Sequence, residues 1–286
     1  MKNIAFIVNP ISGTKTKNRV SKLIRELLDL QQFSPTVVTT EYVGHATLLA
    51  QHFALEGYHA VVAVGGDDTV NEVATGLVGS NTALGVVPNG SSNGFARHID
   101  ISTRMNRAIE MLNSSEAIYV DYATINDRPF FSILSIGHNA AIVQDFNEIN
   151  LSSKDEAQTT FKNLYQHQPE NYHLQGYGID LTQEAFYISV ANTSQFDAYI
   201  APKTSVQDGW LDIALVTNSP VPTTEGLVAK EIEDNLYLNA IRTKELVLTC
   251  HSEAYAILDS SLINLPERLH IKIVEDGLKV LVKKRF

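Results

Sequence analysis

The stretch that most constrains this 286-residue chain is Val61-Val62-Ala63-Val64-Gly65-Gly66-Asp67-Asp68-Thr69-Val70-Asn71-Glu72-Val73. Its unbroken apolar run reads as a strand buried on both faces. The run stops at two glycines, after which Val70, Val73 and Leu77 recur at helical spacing. A strand, a tight glycine turn and a helix start therefore follow one another directly. The first N–H groups of a helix have no intrahelical partner, and the helix dipole adds partial positive charge there. Such a corner suits a phosphate. The glycines let the main chain approach a polyanion closely, and the Thr69 hydroxyl can donate to a phosphate oxygen. An ionised Asp67 cannot, which leaves it a contact through Mg²⁺ or the capping of the helix. Taken alone, Gly-Gly-Asp-Asp is equally an ordinary turn with a helix cap.

The flanking sequence repeats the pattern. Residues 3–8, 36–40, 58–64 and 83–87 read as strands. Helices are expected after the first, from Val20, Leu23, Ile24, Leu27 and Leu28, and over 45–53, 71–78 and 105–112. Strands alternating with helices predict a doubly wound parallel sheet over residues 1–118, an α/β domain. Ligands bind such sheets at the carboxyl ends of the strands. Three loops of turn composition fall on that edge. They are Asn9-Pro10-Ile11-Ser12-Gly13, the Gly65-Gly66 corner, and Gly90-Ser91-Ser92-Asn93-Gly94. Each is a common turn by itself, but their shared composition on one edge points to a polyanion. Arg97 either reaches a phosphate or pairs with a carboxylate such as Asp100. No loop carries the Walker Gly-Lys-Ser/Thr or the dinucleotide Gly-x-Gly-x-x-Gly pattern.

After residue 118, over the second domain at 119–286, short alternating runs dominate, at 118–125, 130–134, 185–190, 211–216, 245–249, 255–258 and 269–273. They predict a second domain, an antiparallel β-sandwich, interrupted by one helical insertion near 154–167. Its open sheet edges could pair two chains into a homodimer. Phe130, Phe131, Phe186 and Phe196 are either core or an acyl-binding wall. Cys250, the single cysteine, reads as a small core residue. The net charge of −10 argues against a nucleic-acid partner, whose binding rests on neutralising phosphates. No apolar run is long enough to span a bilayer, and Met1-Lys2 leads straight into a strand rather than a signal core. The expected location is cytoplasmic. Lys283-Lys284-Arg285 is either a local basic patch for a membrane surface or a solvated stretch.

The motifs together resemble the diacylglycerol kinase catalytic superfamily, in its soluble bacterial lipid-kinase branch, related to the sphingosine and ceramide kinases. Asn9-Pro10-x-Ser12-Gly13 is similar to the family's first nucleotide loop, and Thr40 stands where the family has a nucleotide-contacting Thr. Gly65-Gly66-Asp67-x-Thr69-x-Asn71-Glu72 resembles its signature Gly-Gly-Asp-Gly-Thr-x-Asn-Glu. Gly90-Ser91-x-Asn93-x-Phe95-Ala96-Arg97 resembles Gly-Thr-x-Asn-Asp-Phe-Ala-Arg. Asn192, Ala201-Pro202 and Gln207-Asp208-Gly209-x-Leu211-Asp212 are similar to landmarks of the family's second domain. The resemblance covers nearly the whole chain. It implies an α/β nucleotide domain and a β-sandwich domain with the active site in the cleft between. It also implies transfer of the ATP γ-phosphoryl group to a lipid hydroxyl with Mg²⁺, by peripheral contact at the inner membrane surface.

The implied nucleotide contacts are Asn9, Ser12, Gly13, Thr40, Gly65, Gly66, Asp67, Asp68, Thr69, Glu72, Gly90, Ser91 and Asn93. A structural Mg²⁺ would be held by Asp208 with carbonyls near Ser205 and Trp210, although Asp208-Gly209 also reads as a plain turn. Asp259 and Ser261 stand where the family has the carboxylates of Asp-Gly-Glu, which supply the base and its support. Three departures stand out. Asp68 replaces a glycine, Gly94 an aspartate, and Ser261 a glutamate. A Ser hydroxyl is no base near neutral pH. The leading expectation is an active lipid kinase acting on a lipid such as diacylglycerol or a sphingoid base. A nucleotide-binding homologue without turnover and an NAD-kinase-like enzyme are the other readings.

Overall fold

The computed structural model describes residues 1–10, 14–90, 93–137, 169–176, 178–193, 205–217, 238–250, 254–259 and 261–284. The chain divides into two units. The first comprises Met1–Tyr122, Val206–Asp208 and Val274–Phe286, and the second comprises Ala123–Ser205 and Gly209–Ile273.

In the first unit the elements run β1 (Lys2–Val8), α1 (Thr14–Leu27), β2 (Phe33–Thr39), α2 (His45–Leu55), β3 (Ala60–Gly65), α3 (Asp67–Leu77), β4 (Ala83–Pro88), α4 (Gly94–His98), α5 (Met105–Leu112) and the first part of β5 (Ser115–Ile125), whose end enters the second unit at Ala123. The sheet order is β2-β1-β3-β4, and every pair is parallel. β3 and β4 are buried at every residue, because helices cover both faces. The chain goes from β1 one way to β2, then back past β1 to β3 and on to β4. The reversal creates a switch point between the carboxyl ends of β1 and β3, where ligands lodge in such sheets. Right-handed crossovers place α1 on one face and α2 with α3 on the other. In agreement, α1 packs on α5 and α2 on α3.

The second unit contains β6 (Arg128–Phe130), β7 (Ile133–Gly137), β8 (Glu170–Gly176), β9 (Ile179–Ala185), β10 (Tyr187–Ala191), β11 (Leu211–Val216), β12 (Leu238–Thr243), β13 (Glu245–Thr249), β14 (Ala254–Leu258), β15 (Ser261–Leu265) and the first part of β16 (Arg268–Lys283). One antiparallel sheet has the order β12-β11-β10-β7-β14-β15. The other runs from β16 through β13 and β8 to β9, also antiparallel. Leu134, Ile188, Ile213 and Leu258 of the first sheet share a core with Tyr172, Leu248 and Ile271 of the second. The expected sandwich is therefore present, and Cys250 lies in its core. The expected helix near 154–167 and Phe196 fall outside the described residues.

Three features differ from the sequence reading. The second part of β16 belongs to the first unit, where Val280 pairs in parallel with Leu84 of β4. A division at 118/119 assigns all of that strand to the second domain. The first unit also holds Val206, whose carbonyl accepts the Asp121 N–H at 2.6 Å. Helix α3 begins at Asp67 rather than 71, with Gly66 at its N-cap position and no side-chain cap. In α2 the buried face is Ala46, Ala50 and Phe53, while Leu48 is 55% exposed. The reason is close packing. A Cβ on Gly76 of α3 would lie 2.5 Å from the Thr47 carbonyl oxygen and 2.8 Å from the Ala50 Cβ.

Gly76→Ala tests that packing. Helix propensity alone would add about 1 kcal/mol of stability, whereas forcing a methyl into the α2 main chain costs about 1–3 kcal/mol. Urea unfolding should show a net loss, and a more stable variant would rule out the close approach of α2 and α3.

Candidate functional site

The carboxyl ends of the four parallel strands converge through their main chains. The Asn9 N–H donates to the Val64 carbonyl at 3.0 Å, and the Thr40 N–H donates to that of Val8 at 3.0 Å. The Asn89 N–H donates to the Gly65 carbonyl at 2.7 Å. Asn9 Nδ2 donates to Thr69 Oγ1 at 3.1 Å, so the first loop is tied to the first turn of α3. Thr69 is 3% exposed, and a Cβ on Gly65 would overlap its hydroxyl. A Cβ on Gly90 would lie 2.7 Å from the Gly66 Cα. The loops after β3 and β4 thus meet backbone to backbone, at a distance only paired glycines permit. Asn93, at a left-handed φ of 54°, closes the fourth loop by accepting the Gly90 N–H at 3.0 Å and donating to its carbonyl at 2.7 Å.

Asn9, Thr40, Gly65, Gly66, Thr69, Gly90 and Asn93 therefore share one edge. Ser12, Gly13 and Ser91 lie outside the described residues. Asp67 opens α3, so of its two sequence readings the helix cap is not the one realised. Its Oδ1 is buried and has no hydrogen-bond partner among the described residues. Burial holds its carboxyl above the ordinary range, while the main-chain N–H groups of Phe95, Asn93 and Gly94 pull the other way and the Asp68 charge adds to the rise. Asp68 is exposed.

Glu72, expected among the nucleotide contacts, faces elsewhere. Its Oε1 accepts the Gly44 N–H at 2.8 Å and its Oε2 that of Ala46 at 3.1 Å, while Thr47 Oγ1 donates to its carbonyl at 2.9 Å. It satisfies the orphan donors at the start of α2 and fixes α2 to α3. Beside Thr40, the Tyr42 ring stacks on His45 with centroids 4.6 Å apart. The sequence reading had not marked this pair, because its partners sit three residues apart across a turn.

Asp259 and Ser261 belong to the second unit. Leu258 pairs with Ser261 across the β14–β15 hairpin, and Asp259 occupies the turn at a left-handed φ of 54°. The Asp259 carboxylate is 5% exposed. Oδ1 accepts the N–H groups of Ser132 at 2.7 Å and Ile133 at 3.1 Å, and Oδ2 that of Phe131 at 3.0 Å. Its own N–H donates to the Ile133 carbonyl at 2.7 Å. Asn192 buttresses the same segment, donating from Nδ2 to the Phe131 carbonyl at 3.0 Å. Asp259 thus holds the β6–β7 connection in place, a role its turn position alone did not reveal. Ser261 is exposed.

Ser205, Asp208 and Trp210 fall in the turn before β11, where Gly209 has φ 69°. The Trp210 ring lies 5.8 Å from the Arg242 guanidinium and 5.4 Å from the Lys244 ammonium. Among the described residues no three His, Cys, Asp or Glu side chains gather as a metal cluster. Mg²⁺ in phosphoryl-transfer sites, however, takes only one or two protein carboxylates and completes its shell with phosphates and water. The orphaned Asp67 Oδ1 fits that requirement.

Residues 3–125 match the model of the diacylglycerol kinase catalytic domain. The chain is 24% identical to the diacylglycerol kinase of Bacillus subtilis over 98% of this chain and 99% of that one. It is 27% identical to an uncharacterized protein of Synechocystis over 95% of this chain, spanning 64% of that protein's length. A crystal structure of a diacylglycerol kinase from Bacillus anthracis superposes with a TM-score of 0.72 at 19% identity, covering 98% of this chain and 97% of that one. This likeness establishes the shared fold.

Two outcomes follow from the site's electrostatics. The raised Asp67 pKa means that the folded state binds the proton more tightly than the unfolded chain. Its contribution to stability is therefore present at acid pH and lost as pH rises through the folded value. Asp67→Asn should raise the melting temperature at neutral pH, and the gain should vanish as pH falls into the ordinary carboxylate range. A gain independent of pH would refute the buried charge. Asp259→Ala strands three main-chain donors and should cost about 3 kcal/mol or more in urea unfolding. Asp259→Asn keeps an acceptor and tolerates the positive φ, so it should lose distinctly less.

Proposed function

We propose that this chain is a member of the diacylglycerol kinase catalytic superfamily and that it transfers the γ-phosphoryl group of ATP to the hydroxyl of a lipid such as diacylglycerol or a sphingoid base. The observation that carries the reading is the meeting of the Gly66 and Gly90 loops beside Asn9, Thr69 and the partnerless Asp67 Oδ1. Phosphoryl transfer asks little covalent chemistry of a protein and much positioning and charge neutralisation. The glycine main chain gives the phosphates close access to N–H donors at the start of α3. Thr69, held by Asn9, fixes the first turn of that helix. Thr40 stands at the end of β2 on the same edge.

Asp67 would hold Mg²⁺, with Asp68 as its exposed neighbour, and the ion would neutralise phosphate charge. Without it Asp67 faces a polyanion with a charge that burial already disfavours. A second, structural Mg²⁺ at Asp208, with carbonyls near Ser205 and Trp210, rests on the family resemblance alone.

One observation favours a second reading, nucleotide binding without turnover. The Asp259 carboxylate is engaged by three N–H donors, which makes it a poor proton acceptor, and Ser261 replaces the family's glutamate. A base positioned for the acceptor hydroxyl contributes about 10²–10⁴ in rate.

The experiment is a radiolabelled-ATP assay against diacylglycerol, sphingosine and ceramide in mixed micelles, with nucleotide affinity measured in parallel. Under the kinase reading a lipid is labelled, and Asp67→Asn lowers kcat by about 10² or more. Ser261→Glu should raise kcat at least about tenfold if the missing carboxylate limits proton removal. Nucleotide binding with no labelled lipid, in both wild type and Ser261→Glu, would establish the second reading instead.

A further inference from the structure

The turn that joins β2 to α2 brings two aromatic rings together. The His45 N–H donates to the Tyr42 carbonyl at 3.2 Å. Gly44 lies between them at φ 87° and ψ −11°, the third position of a type II turn, where glycine is favoured. The turn sets the Tyr42 and His45 rings parallel, with an interplanar angle of 3° and centroids 4.6 Å apart. His45 is itself held, because its Nδ1 accepts the Glu41 N–H at 3.1 Å. Tyr42 is 58% exposed, more than any other Phe, Tyr or Trp among the described residues. One face of its ring lies on His45, and the other is open.

The position of this ring gives its exposure meaning. β2, β1 and β3 are neighbours in the parallel sheet. The turn after β2 therefore shares an edge with the Gly65-Gly66 corner after β3, two strand spacings or about 10 Å away. Glu72 of α3 fixes that separation, because its carboxylate takes the N–H groups of Gly44 and Ala46. The helix that starts at the glycine corner thus carries the brace for the aromatic turn. The other exposed aromatic side chains lie elsewhere. Tyr119 stands beside Lys279, which bonds the Asn81 carbonyl ahead of β4 at the opposite edge, and Tyr255 belongs to the second unit.

We propose that the open face of Tyr42 is the platform on which the base of the nucleotide stacks. The inference rests on the kinase reading and deepens it by naming the residue that takes the base. With the phosphates on the main chain of Gly66 and Gly90, the ribose bridges the distance to the turn, past Thr40 at the end of β2. An aromatic ring binds a base through its face. Here the ring is already stacked and its turn already braced, so little ordering is left for the moment of binding and more of the stacking energy appears as affinity.

The test is equilibrium binding of ATP and of inorganic tripolyphosphate to the full chain, each with Mg²⁺ and without lipid. Tripolyphosphate carries the phosphate chain without a base. The wild type should bind ATP at least about tenfold more tightly. Tyr42→Ala should weaken ATP binding about tenfold and leave tripolyphosphate affinity and melting temperature as they were. Tyr42→Phe keeps the ring and should recover most of that loss. In the micelle assay Tyr42→Ala should raise the KM for ATP with kcat held. Equal losses for the two ligands, or an ATP affinity that Tyr42→Ala leaves unchanged, would overturn the proposal. Equal binding of both ligands by the wild type would overturn the platform alone, since lipid labelling would still support the kinase reading. A wild type that binds neither ligand would overturn both together.

Discussion

The contact between Gly66 and Gly90 is the constraint on which the loop edge of the parallel sheet depends. Two loops from neighbouring strands touch through α-carbons, and any side chain at Gly90 would have to displace main chain. The Asn89–Gly65 hydrogen bond and the two Asn93 bonds to Gly90 then lock the loops in register. Asn9 extends the lock to the first strand through Thr69. What remains is a floor of main chain with few side chains above it, able to approach a polyanion. The switch point of the sheet puts this floor where the strands diverge.

Carboxylates divide into distinct tasks within each unit. Glu72 and Asp259 are both consumed by main-chain donors, one at the start of α2 and the other at the β6–β7 connection. Asp67 has an oxygen, Oδ1, without a hydrogen-bond partner among the described residues. A buried acceptor left unpaired costs free energy, and such costs persist where a bound group repays them. Main-chain N–H groups of Phe95, Asn93 and Gly94 also reach the Asp67 carboxylate, so what sets it apart is the one oxygen left over.

Much of this was legible in the chain. The alternation of strand and helix, the glycine corner and the loop compositions follow from local periodicity and turn chemistry, and they placed the loops on one edge of the sheet. The limits of the helices were also close, as with α5 at Met105–Leu112. What local pattern missed was long-range. The donors to Asp259 come from residues far away in sequence. The buried face of α2 is set by a glycine on α3 rather than by its own leucines. Strands such as β9, whose polar residues alternate on an open face, carry too weak an apolar signal to stand out.

The pairing of Val280 with Leu84 also orders events in time. A chain emerging from the ribosome makes β4 well before the strand that covers its far side. At ~5–20 residues per second, the roughly 200 residues between the two partners take about 10–40 s to add. Throughout that interval β4 presents an unpaired parallel edge, the kind of surface that recruits foreign strands. The exposure of that edge ends only when β16 arrives.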